Sequence, residues 1–247
     1  MHGLFEWVDV SVPDFERGVA FYEALFGWES EPPAPGVTDY RLFRRDGRLA
    51  AGIVRSDRAS WNSYVAVDSA DVMRDRAVSA GATIAVPPTD VGDQGRMMWI
   101  IDPHGAGLGV WEPGVHRGAD AYNEPGFLTW NELRTNHHDD AVAFYGELFP
   151  AWSFHDQGIE GAQYSMIRLG DRLNAAVAPL GEHFGDAPAH WAVWFTVDDA
   201  AADVARIEAL GGSALGPVVE TSYGPAARVA DPFGTPFLII GPMVAPD

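Results

Sequence analysis

Phe21-Tyr-Glu-Ala-Leu-Phe-Gly-Trp28 returns as Phe144-Tyr-Gly-Glu-Leu-Phe-Pro-Ala-Trp152, about half a chain later. Other segments echo in the same order. Tyr40-Arg-Leu-Phe matches Tyr164-Ser-Met-Ile, Asp46-Gly-Arg-Leu matches Gly170-Asp-Arg-Leu, and Asp102-Pro-His-Gly matches Asp231-Pro-Phe-Gly. A long internal repeat constrains the fold more than any single motif, because one architecture must be built twice. The 247 residues divide into two modules of the size of a small domain. The expected boundaries are residues 1–114 for the first module, 115–126 for a linker rich in Gly, Pro, Asp and Asn, and 127–247 for the second. Any site can then be located twice and its copies compared.

Periodicity supplies the elements. Residues 4–12 alternate, with Val8, Val10 and Val12 on one face and Trp7, Asp9 and Ser11 on the other, which predicts a strand. Asp14 is the expected N-cap of a helix whose apolar residues 15, 19, 22, 25 and 26 recur at helical spacing, with Gly27 closing it. Residues 32–36 read as a Pro-rich loop. Strands follow over 38–45 and 48–55, joined by an Asp46-Gly47 turn, and another over 62–67. A helix over 69–80, capped by Asp68 or Ser69, ends at Gly81. Strands over 96–101 and 107–111 flank the Asp-Pro turn. The second copy predicts strands over 127–135, 162–169, 172–179, 191–197, 226–230 and 236–241, and helices over 138–149 and 199–210. The fold class expected is α+β. A lone module has too few strands to cover its sheet, so the copies are expected to pair about a pseudo-two-fold axis.

Composition excludes several classes. There is no cysteine, hence no disulfide, thiolate metal site or cysteine nucleophile, and a reducing compartment is the simpler setting. The start of the sequence has no basic region followed by an apolar stretch, and no apolar run approaches a membrane span, so a cytoplasmic protein without membrane contact is expected. A net charge of −19 repels phosphates and argues against nucleic acid. It leaves a solvated acidic surface or attraction of cationic small molecules as alternatives. No P-loop, His-Glu-x-x-His, Gly-x-Ser-x-Gly or dinucleotide fingerprint is present, and the glycines of Gly105-Ala-Gly-Leu-Gly sit in a hairpin.

The string Val12-Pro-Asp-Phe-Glu-Arg-Gly-Val-Ala-Phe-Tyr-Glu-Ala-Leu-Phe-Gly with a later Asp-Pro-x-Gly resembles the vicinal oxygen chelate superfamily. That superfamily holds glyoxalase I, fosfomycin-resistance transferases, extradiol dioxygenases and bleomycin-resistance proteins. The resemblance covers both halves. Trp130-Asn-Glu-Leu-Arg-Thr further resembles the tandem actinobacterial glyoxalase-like subgroup of hydroxylases and secreted antigens. The resemblance implies tandem βαβββ modules whose curled mixed sheets form a cup, with helices outside and ligand within.

It also implies a divalent metal held by His, Gln or Glu from three strands. The implied positions, counted from the motifs, are Trp7, Asn62 and Gly109 in one copy and Trp130, Ala192 and Leu238 in the other. Only Asn62 offers a donor, and a weak one. A metal-polarised substrate needs nitrogen or oxygen donors converging on one cavity, so no metal and no cofactor are expected in the cup. His190 shares the cavity-facing parity of Ala192 and could be a displaced ligand, a base or a satisfied strand-end residue. His137-His138-Asp139 sits at a helix start, where capping or solvation is expected. His104 lies in a turn where the other copy has Phe233.

Strand parity gives the cup lining: Trp7, Asp9, Asn62, Tyr64 and Trp111 in one copy, Trp130, Glu132, Arg134, His190 and Trp194 in the other. Nine tryptophans either fill these faces as core or wall a site for a flat or cationic ligand. Asp9 and Glu132 occupy equivalent positions; Glu132 could form a salt bridge with Arg134, or serve as a base or as counter-ion to a cationic ligand. The first reading is therefore a metal-independent protein that sequesters an aromatic or cationic small molecule, as monomer or homodimer. The alternatives are a lyase, isomerase or oxygenase-type enzyme using Glu132, Asp9 or His190 or a non-standard metal site, and an interaction protein with a collapsed cup.

Overall fold

The computed structural model describes residues 2–32, 39–157, 163–184 and 187–242, without the side chains of residues 182 and 183. Most of the Pro-rich loop expected at 32–36 lies outside these residues.

In the first half, strand β1 (Phe5–Val12) is followed by helix α1 (Phe15–Phe26) and strands β2 (Glu29–Ser30), β3 (Tyr40–Arg45) and β4 (Arg48–Arg55). Then come β5 (Ser60–Ala66), α2 (Ala70–Ser79), β6 (Thr83–Val91), β7 (Gly95–Ile101) and β8 (Gly107–Pro113). The second half gives β9 (Leu128–Arg134), α3 (His138–Leu148), β10 (Trp152–Asp156), β11 (Ser165–Leu169), β12 (Arg172–Ala178) and a short α4 (Gly181–Phe184). It ends with β13 (His190–Thr196), α5 (Ala200–Ala209), β14 (Ser213–Ala214), β15 (Val219–Thr221), β16 (Gly224–Ala230) and β17 (Pro236–Ile240). The α+β class holds, and the repeat is finer than the sequence suggests. Each half contains the βαβββ order twice, with the short β15 added in the last, so the chain has four such motifs.

One mixed sheet runs in the order β2-β3-β4-β1-β5-β8-β7-β6 and belongs to the first half. The other runs β10-β11-β12-β9-β13-β17-β16-β14, with β15 paired to β16, and belongs to the second. Parallel contacts sit centrally: β1 with β4 and β5 with β8 in one sheet, β12 with β9 and β13 with β17 in the other. The strands not expected from sequence include β6, whose residues Thr83-Ile-Ala-Val-Pro-Pro-Thr-Asp-Val lie at a sheet end and contain two prolines. Proline weakens the strand signal, since it offers no N–H to a ladder, but it is tolerated at a sheet end where no further strand needs that donor.

Caps follow the residue chemistry. Asp14 accepts from the Arg17 amide at 3.2 Å, Ser69 from Val72 at 3.3 Å, and Asp199 from Ala201 and Ala202. Gly27 closes α1 in the left-handed conformation. His137 occupies the N-cap position of α3 but makes no side-chain cap.

The chain packs into two compact units, and these cut across the halves. One comprises residues up to Trp7, Asn62–Gly118 and Asn131–Ala192; the other comprises Val8–Trp61, Ala119–Trp130 and Val193 onward. Each unit is therefore two βαβββ motifs, one from each half, and each has its own apolar core. The segment expected as a linker is structured. His116 donates from its amide to Gln94 O at 3.1 Å in the first unit, while in the second the Asp120 amide bonds Leu49 O at 2.9 Å and the Gly126 amide bonds Thr196 O at 2.8 Å.

The repeated motifs meet inside these cores. In the first unit the Tyr145 hydroxyl donates to Asp102 Oδ2 at 3.1 Å and accepts from the Trp191 indole at 3.0 Å. In the second the Tyr22 hydroxyl donates to Asp231 Oδ2 at 3.0 Å, with the Trp61 ring edge-on at 5.3 Å. The tyrosine of each Phe-Tyr motif thus holds the Asp-Pro turn of the other half. Burial, with the adjacent Asp231 or Asp102 carboxylate, raises both phenol pKa values well above the ordinary 10.0. The motif tryptophans are fixed alike: Trp152 donates to Gly3 O at 2.7 Å and Trp28 to Gly126 O at 2.8 Å. Among the described residues, no helix is long and apolar enough to cross a membrane.

Candidate functional site

The three positions at which the superfamily resemblance implies metal ligands in the first copy are Trp7, Asn62 and Gly109, on β1, β5 and β8. Gly109 pairs in register with Tyr64. A Cβ at Gly109 would lie 2.2 Å from the Tyr64 ring, so this position has no room for a glutamate while Tyr64 stays in place. The Trp7 indole meets the His116 ring edge-on at 4.4 Å, and Trp111 donates to His116 O at 2.9 Å. Tyr64 packs against Trp99 at 5.7 Å. Trp7, Tyr64 and Trp111 are all buried. This donor set, one amide between an indole and a glycine, does not fit the superfamily's metal. In the other copy Trp130, Ala192 and Leu238 offer no oxygen or imidazole ligand at all.

Asp9, in the second unit, is also buried and enclosed. It pairs with Gly52 across β1 and β4, and the Tyr40 hydroxyl reaches its Oδ2 at 3.4 Å. A Cβ on Gly52 would fall 2.3 Å from that hydroxyl. Glycine here lets the phenol lie over the strand and occupy the space next to the carboxylate.

The equivalent carboxylate of the second copy has different company. Glu132, on β9 in the first unit, pairs with Ala176 of β12 and is only 2% exposed. It is ion-paired to Arg134 Nη2. Arg134 is further held by the Pro179 carbonyl at 3.1 Å and lies over the Phe184 ring, 4.6 Å from its centroid. His190 flanks the same ring at 5.6 Å, and its Nδ1 donates to Pro188 O at 2.8 Å. A carbonyl only accepts, so this bond places the proton on Nδ1 and the lone pair of a neutral ring on Nε2. Burying a charged pair costs desolvation that apolar residues would avoid. Stacking the guanidinium on an aromatic face recovers part of that cost.

The sequence-derived residues are therefore divided. Glu132, Arg134 and His190 come together in the first unit, and Phe184 joins them. Phe184 escaped the sequence reading because it sits on α4, one short turn of helix after the strand that ends at Ala178. Trp7, Asn62, Tyr64 and Trp111 belong to the same unit but to the other sheet. Trp130 and Trp194 lie in the second unit, half-buried; Trp194 pairs with Leu238, and its indole N–H has no hydrogen-bond partner among the described residues.

A separate cleft in the second unit, of about 130 Å³, is lined by the C-terminal end of α1 with Arg45, Asp203 and Arg206. Arg45 donates to Phe26 O at 3.1 Å and Arg206 to Leu25 O at 3.2 Å. Burial raises the Asp203 carboxyl above its usual range, against the lowering effect of Arg206. Ligand sites for drug-sized molecules need roughly 300 Å³ or more. The arginines here serve the exposed carbonyls at a helix end.

Four βαβββ motifs in two mixed sheets define a protein of the vicinal oxygen chelate class. The glyoxalase-like domain family matches residues 7–110 and 131–240, and the chain belongs to that family. It is 34% identical over 251 residues to the "Putative glyoxylase CFP32" of Mycobacterium tuberculosis, covering 97% of this chain and 95% of that protein. It is 34% identical over 260 residues to the "Anthracycline biosynthesis protein DnrV" of Streptomyces peucetius, covering 96% and 93%. Among solved structures, the Mn(II)-bound glyoxalase from Novosphingobium aromaticivorans superposes with a TM-score of 0.69 at 19% identity, over 98% of this chain and 83% of that one. The 2,3-dioxygenase LapB from Pseudomonas sp. KL28 gives 0.68 at 13% identity, over 100% and 95%. At such identities the likeness is one of fold.

Proposed function

We propose that this protein binds an aromatic or cationic small molecule at the Glu132–Arg134–Phe184–His190 cluster, without the metal of its superfamily. The carrying observation is a carboxylate almost fully removed from water whose ion-pair partner is stacked on an aromatic ring. A cationic or hydrogen-bond-donating ligand can share Glu132 with Arg134, while a planar ring takes a place against Phe184. Nothing in this recognition uses a Lewis acid, which agrees with the donor-poor positions on both sheets. In the first copy the space beside the equivalent carboxylate is filled by the chain itself. There Tyr40 takes the space beside Asp9, and Trp7, Tyr64 and Trp111 are packed as core. One relative is named for anthracycline biosynthesis, and an anthracycline is a planar polycyclic molecule of the kind this site would take.

A thermal-shift screen of planar aromatic and quaternary ammonium compounds tests the proposal. Saturable stabilisation at micromolar concentration is expected, about −8 kcal/mol of binding. A protein indifferent to every such compound would count against it. A second reading, acid–base catalysis, rests on the His190 tautomer and Glu132 flanking one ring, and on the glyoxylase name of a relative. Turnover of a hemithioacetal that persists after chelation and disappears in His190→Gln would establish that reading.

A further inference from the structure

His104, His137 and Asp140 gather in the first unit, away from the cluster just described. His104 is the third residue of the Asp102-Pro-His-Gly turn between β7 and β8; His137 and Asp140 are the N-cap and first turn of α3. His104 Nε2 is 3.2 Å from Asp140 Oδ2, and His137 Nδ1 is 4.0 Å from the same oxygen. The three donor atoms all lie within 4.8 Å of one another, and the two imidazoles stack with centroids 4.0 Å apart. We propose that these residues bind a divalent transition-metal ion of the zinc type, clipping the β7–β8 turn to the start of α3.

Donor chemistry selects the metal class. Two imidazoles and one carboxylate suit zinc and its neighbours, with water completing the shell, and do not suit magnesium or calcium. In a tetrahedral zinc site with bonds of about 2.0–2.1 Å, neighbouring donors are about 3.3 Å apart. The His104–Asp140 spacing already matches. His137 and Asp140 have side chains 56% and 69% exposed, so they turn inward without disturbing a core. The stacked rings open on binding, because a metal ion sits in the plane of each imidazole it meets.

Three further observations set the cluster apart. The helices α1, α2 and α5 are each capped by a side chain, whereas His137 stands at the cap position of α3 and caps nothing. His104 sits in a rigid turn: Asp102 Oδ1 accepts from the amides of His104 and Ala106, and Asp102 Oδ2 accepts from Tyr145. These contacts fix the turn backbone that carries His104. In the second unit the same turn carries Phe233, with Arg17 5.2 Å from its ring, and no comparable donor group is found there among the described residues. The internal copy is a natural control.

The test uses full-length, tag-free, chelator-stripped protein. Zn²⁺ is titrated with thermal denaturation as readout, and Co²⁺ with its visible absorption. One saturable equivalent, a raised melting temperature and a Co²⁺ band are expected. His104→Phe should weaken binding at least tenfold while keeping its metal-free melting transition, because the Phe233 turn already accommodates that ring. Asp140→Asn should weaken binding in the same direction. His138→Asn, a neighbour engaged by Ser165 and Asp139, should leave binding unchanged. No saturable response in the native protein, a response that survives His104→Phe, or an equal loss in His138→Asn would overturn the proposal.

Discussion

Two hydrogen bonds explain why Phe-Tyr and Asp-Pro-x-Gly both recur. Tyr22 holds Asp231 and Tyr145 holds Asp102, each as a buried phenol bonded to a buried carboxylate. Replacing Tyr145 by Phe leaves Asp102 Oδ2 without that donor and should cost about 1–3 kcal/mol in urea denaturation, as should Tyr22→Phe. The raised phenol pKa values carry a sign. A proton held more tightly in the folded state contributes stability that is complete below the unfolded value of about 10 and lost as pH rises through the folded one. The urea midpoint should therefore fall once pH exceeds about 10, and each Tyr→Phe variant should fall less steeply. The sequence made these residues visible as repeated scaffold signals. It did not show their partners, because the two ends of each bond lie in different halves, and a repeat read along the chain pairs each motif with its own copy. The Glu132–Arg134 pair was legible, being two residues apart on one strand, but Phe184 was not.

The elements themselves follow closely from periodicity and capping. The first strand, both long helices of each half and the Asp46-Gly47 turn fall where alternation, helical spacing and turn chemistry place them. What escaped were short or sheet-end pieces, β2, β6, β10, β14, β15 and α4, where proline, polar composition or sheer brevity hides the pattern. Without β6 and β2 the doubling of βαβββ inside each half stayed hidden as well. On β8, Gly109 shows how one residue shapes an element: the Tyr64 ring occupies the position of its missing side chain. Gly109→Ala should displace that ring and cost about 1–3 kcal/mol by overpacking, read from the urea midpoint. A cost near zero would mean that the aromatic face of this sheet is loose rather than packed.

At the scale of the whole molecule, sheets follow the sequence halves while compact units cross them. Residues 1–114 alone hold only part of each apolar core. Expressed separately, that fragment should show no cooperative monomeric thermal transition, whereas adding residues 115–247 should restore one; a cooperative monomeric 1–114 would contradict the account. Duplication also bears on the division of labour proposed for the two equivalent carboxylates. One carboxylate, Asp9, is closed off by Tyr40, and the other, Glu132, is paired with an arginine that rests on Phe184. The most direct test is the affinity of the best screened aromatic cation, measured by calorimetry in the native protein, Glu132→Gln and Asp9→Asn. At least a tenfold loss is expected for Glu132→Gln, and unchanged affinity for Asp9→Asn. Equal affinity in all three, or a loss confined to Asp9→Asn, would contradict binding at Glu132.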